Sequence, residues 1–241
     1  MDGKRILVVG ASSGIGAAVA RLADSQGGRV VISARRADIL NEMVSVSAGM
    51  VAVPGDVRDG DAARTIVEAA CSALGGLDAV VYAVGMSPLV PLADATAAQW
   101  RDVLDTNLVG AAMVSAAAAP HLLESDGRLI LLSSKSVRRP FPDLTLYVTS
   151  KFALDGLIRC LPGEFPGLRV TRLVVGNTEG TDFTSSWDQE ALGAAIGRWQ
   201  AAGVLGDGAT ATMAPEDVAA TIWHVIMAKA HIDDIAVLDH A

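Results

Sequence analysis

Short apolar runs rich in Val, Ile and Leu recur along the chain and alternate with longer segments of helical period. The runs lie at 5–9, 29–33, 50–54, 77–82, 127–132, 168–174 and 235–238. Several are nearly continuous in apolar residues, the pattern of strands covered on both faces. Helical patterns fill the intervals, at roughly 14–26, 37–47, 59–74, 96–120, 147–161 and 215–228. Thr96 followed by Gln99 suits a capping box, and Pro215 followed by Glu216 and Asp217 suits a helix start. Pro162 and Gly163 are expected to end the helix that begins near 147. Strand–helix alternation over the whole length predicts a doubly wound α/β fold, a parallel sheet of about seven strands with helices on both faces. The stretch at about 182–212 breaks the pattern. It is rich in Gly and Ala, with Phe183, Trp187 and Trp199 spaced through it, and is expected to form an irregular substrate lid.

Composition narrows the function classes. The chain has 241 residues, 51% hydrophobic and 19% charged, which argues against disorder and for one domain spanning 1–241. A net charge of -8 disfavours nucleic acid and anionic membranes as partners. Lys4 and Arg5 precede only four apolar residues, so no secretory signal is expected. The most lipid-like stretch, 108–119, falls short of the roughly 20 residues that span a bilayer. Cys71 and Cys160 have no metal-ligand spacing and read as two reduced, packed thiols of a cytoplasmic protein. His121, His224, His231 and His240 form no ligand pattern, and no metal is expected. The G-x-S-x-G elbow of a serine hydrolase is absent.

The first apolar run leads directly into Gly10-Ala-Ser12-Ser13-Gly14-Ile15-Gly16, with a helix following at once. Glycines there allow a tight turn and let backbone N–H groups approach a phosphate at the positive end of a helix. The second run ends Ser33-Ala34-Arg35-Arg36. A site selective for NAD places an acid at that strand end, on the ribose 2′-hydroxyl. Here Ala34 stands in that place and the next acid is Asp38. Arg35, with Arg36 and Ser13, would instead hold a 2′-phosphate, which predicts NADP(H).

These motifs, in this order, resemble the short-chain dehydrogenase/reductase family. The G-x-x-x-G-x-G spacing of the turn is the family's own. Asp56-Val57 is similar to its adenine-contacting pair, and Asn107 to its catalytic asparagine. Ser134, thirteen positions before Tyr147, and Tyr147-Val-Thr-Ser-Lys151 match its serine and signature helix. The resemblance implies a Rossmann-type sheet and a homotetramer or homodimer packed through the helices at about 96–120 and 147–161. The small residues Ala111, Ala112 and Ala116–Ala119 would allow close helix approach there. It also implies cofactor contacts from Ile15, Ala83, Gly85 and Thr181, a ribose contact from Lys151, and a water-mediated proton relay supported by Asn107.

The chemistry follows from the residue types. Tyr147 and Lys151, four apart on a helix, share one face. An ammonium beside the phenol is expected to lower its pKa, so that Tyr147 passes a proton to or from a carbonyl or alcohol oxygen. Ser134 at a strand end would hydrogen-bond the same oxygen. Met86, Pro88, Phe141, Phe183 and Trp187 suggest an apolar carbonyl or secondary-alcohol substrate.

Two turns depart from the family. Tyr82-Ala83-Val84-Gly85 replaces its Asn-Asn-Ala-Gly, and Gly176-Asn177 replaces a Pro-Gly, with asparagine expected to tolerate positive φ. The alternative to an enzyme is a catalytically silent dinucleotide-binding sensor or binding module.

Overall fold

The computed structural model describes residues 3–204 and 212–239. The seven apolar runs form β1 (Arg5–Val9), β2 (Arg29–Ser33), β3 (Met50–Ala52), β4 (Ala79–Tyr82), β5 (Arg128–Ser134), β6 (Arg169–Val175) and β7 (Asp234–Val237). They make one parallel sheet in the order β3-β2-β1-β4-β5-β6-β7. The order reverses between β1 and β4, and a crevice outside the carboxyl ends of the strands at such a switch point is where ligands bind in open α/β sheets.

Alternation along the strands divides the core. Leu7, Val9, Val80, Tyr82, Leu129 and Leu131 pack on α3 (Gly60–Leu74), α5 (Gly110–Glu124) and α6 (Thr145–Glu164). Ile6, Val8, Val81, Ile130 and Leu132 face α1 (Gly14–Ser25) and α8 (Pro215–Met227) on the other side. The remaining helices are α2 (Ala37–Ser45), α4 (Ala97–Leu104) and α7 (Gln189–Ala201). Thr96 and Gln99 cap α4 reciprocally, as their spacing predicts. α8 starts at Pro215, with Asp217 accepting from the Ala214 amide.

A π turn, Asp105–Val109, joins α4 to α5, giving one helical stretch from Ala97 to Glu124. By length and composition that stretch could cross a membrane, but half of its most apolar window is buried in the protein. Ala111, Ala118 and Ala119 are fully buried within the chain itself. Their small size therefore serves this chain's own core, a correction to their expected role between subunits. Val109, Met113 and Leu123 on this stretch, and Phe152 on α6, are exposed apolar residues.

Several expectations need correcting. Pro162 does not end α6, which continues to Glu164. Pro162 forfeits only its own N–H, and the Phe165 amide closes the final turn on the Leu161 carbonyl. The stretch from 182 is not irregular throughout. It holds a 3₁₀ turn at Asp182–Thr184 and then α7, capped by Asp188. Residues 205–211 of the expected lid lie outside the described residues. Asn177 does not take positive φ, since among the described non-glycine residues only Asp126 and Asp143 do. Its turn is held by the Asp239 carboxylate, which accepts from the Asn177 amide. Cys71 is half-buried, but Cys160 is exposed on α6 and is not a packed thiol.

Candidate active site

The glycine turn is shaped by backbone approach. Gly10 has φ +92°, and a Cβ there would lie 2.8 Å from the Val84 nitrogen. A Cβ on Gly16 would lie 2.2 Å from the Gly10 oxygen. Gly14, φ +51°, starts α1, and a Cβ on it would meet Thr181 Cγ2 at 2.8 Å. Thr181 is thus brought to the turn from the loop after β6. Ser13 is the N-cap residue of α1, yet its side chain does not cap the helix and no acid lies in the first turn. The first-turn N–H groups and the positive end of the helix remain available to an anion. Crowded glycines beside an uncapped helix start fit a dinucleotide phosphate.

The rim beyond β2 carries charge. Ala34 is half-buried and Arg35 is exposed. Arg36 donates to Ser12 Oγ at 2.9 Å and forms an ion pair with Asp182 at 2.5 Å. Sequence reading missed Asp182; its signal was an acid next to Thr181. Asp56 is held below the usual carboxylate range by Arg58, with Arg35 adding to the effect. Val57 beside it is buried.

The second cluster lies at the carboxyl ends of β4 and β5. Ser134 ends β5, Tyr147 and Lys151 share one face of α6, and Asn107 sits in the π turn. Gly85 lies beside Lys151 and Asn107, its Cβ position 3.7 Å from Lys151 Nζ and 3.9 Å from Asn107 Oδ1. Lys151 Nζ donates to the Leu132 carbonyl at 2.8 Å and lies 5.7 Å from the Tyr147 ring centre. Asn107 accepts from the Met86 amide and donates to the Met86 carbonyl and Ser150 Oγ, each at 2.9 Å. Its amide therefore pins the loop after β4 to α6. Sequence reading had no role for Ser150, whose hydroxyl also donates to the Tyr147 carbonyl at 2.7 Å.

Tyr147 departs from expectation. Burial pushes its phenol up to about 12, while the Ser134 hydroxyl pulls the other way. Burial pulls Lys151 down to about 8, and Asp155 opposes it. The lysine turns its ammonium to a carbonyl, so desolvation decides the tyrosine's pKa. The cover is aromatic. Phe183 meets the Tyr147 ring edge-on, centroids 4.8 Å apart, and Trp187 meets Phe183 at 5.5 Å. Trp199 joins Trp187 to Phe141. Trp187 Nε1 is tied to the Ser87 carbonyl and Trp199 Nε1 to the Pro142 carbonyl, each at 2.7 Å. Three of the five apolar candidates, Phe141, Phe183 and Trp187, thus meet around the tyrosine. Among the described residues no cluster of three or more His, Cys, Asp or Glu could hold a metal.

The chain thus combines a seven-stranded parallel sheet, a glycine turn after its first strand and a Ser–Tyr–Lys cluster past its fifth. The short chain dehydrogenase family model matches residues 4–192, and the chain belongs to that family. It is 33% identical over 239 residues to the glycine betaine reductase of Emericella nidulans, covering 96% of this chain and 18% of that protein. It is 36% identical over 166 residues to the hydroxysteroid 11-beta-dehydrogenase 1-like protein of Xenopus tropicalis, covering 66% of this chain and 58% of that one. The chain thus spans under two thirds of either relative. An alcohol dehydrogenase of Thermococcus sibiricus, solved with 5-hydroxy-NADP, superposes with a TM-score of 0.81 at 21% identity, over 97% of this chain and 95% of that one.

Proposed function

We propose that this chain is an NADP(H)-dependent oxidoreductase that interconverts a carbonyl and a secondary alcohol, with Tyr147 as general acid and base. The observation that carries the reading is that Ser134 reaches the Tyr147 phenol while Lys151, one turn along the same helix, lies beside Gly85, and the helix start after the glycine turn is uncapped. Ser12, Ser13, Gly14, Ile15 and Gly16 would hold the cofactor's phosphates, Lys151 the nicotinamide ribose, and Arg35 and Arg36 the 2′-phosphate. When bound, the nicotinamide gives a hydride to the carbonyl carbon or takes one from the alcohol carbon. Tyr147 gives its phenolic proton to the carbonyl oxygen in reduction and recovers one from solvent; in oxidation the phenolate takes the hydroxyl proton. Ser134 donates to the same oxygen and stabilises charge developing on it. The aromatic cover excludes water and favours an apolar substrate.

Preference for NADP(H) is supported by Ala34 and the paired arginines, and by the cofactor named for the Thermococcus structure. An enzyme is favoured over a silent binding protein because the Ser–Tyr–Lys cluster is assembled. Exposed Val109, Met113 and Phe152 support a homo-oligomer formed through the Ala97–Glu124 stretch and α6. The test is a panel of apolar ketones and secondary alcohols assayed with each nicotinamide cofactor. Turnover of panel members with NADPH or NADP⁺, at higher kcat/KM than with NADH or NAD⁺, is expected. A preference for NADH would overturn the cofactor assignment.

A further inference from the structure

At the end of β5 the chain enters a single 3₁₀ turn, Lys135–Val137, which folds Ser136 back onto Ser134. Ser136 Oγ lies 2.9 Å from Ser134 Oγ, and the Ser136 amide donates to that same oxygen at 3.2 Å. Both serines are buried, Ser136 at 4% exposure and Ser134 at 8%. Ser136 Oγ has no other hydrogen-bond partner among the described residues.

A serine hydroxyl carries one proton and two lone pairs. Two donors from residue 136 fill both lone pairs of Ser134, so its proton is the one group left to aim. It cannot point into the turn that supplies those donors. We infer that Ser136 is a positioning residue: its hydroxyl and amide hold Ser134 Oγ as a double acceptor, so that Ser134 presents its one proton to whichever of the Tyr147 and substrate oxygens carries the negative charge. This rests on the function proposed above.

The amide alone would leave one lone pair of Ser134 free and its hydroxyl able to turn. The second donor removes that freedom. It also polarises the chain from Ser136 through Ser134 to the reacting oxygen, because hydrogen bonds in series strengthen one another in a low-dielectric site. The surroundings suit such an arrangement. The neighbouring Ser133 Oγ is buried without a hydrogen-bond partner, so it does not compete for either serine.

The experiment compares wild type, Ser136→Ala, Ser136→Thr and Tyr147→Phe as full-length protein, by steady-state kinetics over pH and by direct NADPH binding. Ser136→Ala is expected to lower kcat roughly fivefold to twentyfold, the scale of one lost hydrogen bond to a developing charge, with NADPH affinity unchanged. Its tyrosine-dependent limb of alcohol oxidation should also move to higher pH, because a less well aimed Ser134 stabilises the phenolate less. Ser136→Thr should restore both readouts. A wild-type kcat and pH limb in Ser136→Ala would overturn the inference. So would equal losses in the Ala and Thr variants, which would mean packing rather than a hydroxyl. If Ser136→Ala fails to bind NADPH, Ser136→Cys, near-isosteric with a weak donor, is measured against the same expectations. Near-wild-type turnover in Tyr147→Phe would instead defeat the underlying reading, so the two failures are distinguishable.

Discussion

The Tyr82 hydroxyl donates to the Thr106 carbonyl at 2.7 Å from the buried end of β4, and there is room for it because residue 110 is glycine. A Cβ on Gly110 would lie 2.6 Å from Tyr82 Oη and 2.8 Å from Val57 Cγ2. The phenol is fully buried, and its pKa is pushed far up by desolvation, so it acts as a permanent donor. It thereby ties the end of β4 to the π turn that presents Asn107. The altered turn after β4 has its own side-chain tie in place of the family's asparagines.

Tyr82→Phe leaves the Thr106 carbonyl buried without this donor and should cost about 1–3 kcal/mol in urea unfolding. Gly110→Ala should cost a similar amount, roughly 1–3 kcal/mol, through overpacking. Together the two changes should cost less than their sum, because the phenol oxygen that the added methyl meets is gone. Full additivity would show that the two residues do not share this space.

Burial raises the tyrosine's proton affinity, and Phe183 is the ring that meets it edge-on. Phe183→Ala opens the Tyr147 ring to water, and burial is what raises that phenol to about 12. Its pKa should therefore fall toward the ordinary 10. More phenolate is then present at a given pH, so the rising limb of alcohol oxidation should shift to lower pH. An unmoved limb would show that Phe183 does not govern desolvation of Tyr147.

In the proposed function, cofactor choice rests on the rim beyond β2. Arg35→Ala should raise KM for NADPH far more than for NADH, because a guanidinium recognises the 2′-phosphate. Asp182 would share Arg36 with that phosphate, but the pair is about half exposed, 44% and 51%, and so is weak. Asp182→Asn should lower KM for NADPH by about twofold to fivefold and leave NADH nearly unchanged. Equal effects on both cofactors in either variant would remove the 2′-phosphate from the explanation.

The strands were legible because continuous Val, Ile and Leu runs have few other places in a parallel sheet. That Tyr147 and Lys151 share a helix face was legible from their spacing, whereas Ser134 joined them only through the family resemblance. α7 was missed although Leu192, Ala195, Ile196 and Trp199 recur at helical spacing, since Gly193 and Gly197 lower helix propensity and hide the period. The alanines of α5 showed that a helix packs closely, but not against which neighbour. Ion pairs and hydroxyl contacts such as Arg36–Asp182 and Ser134–Ser136 depend on how loops fold back, which periodicity does not encode. The direction of the Tyr147 pKa also escaped sequence, because spacing from Lys151 says nothing of the ring that covers the phenol.

The most direct test of the central claim is the turnover of Tyr147→Phe beside its binding of NADPH. The ring is kept and only the proton donor is removed, so NADPH should bind as to wild type. Turnover of a carbonyl substrate should fall by roughly two orders of magnitude or more. Turnover near wild type, with NADPH bound, would show that the proton comes from elsewhere and would contradict the account.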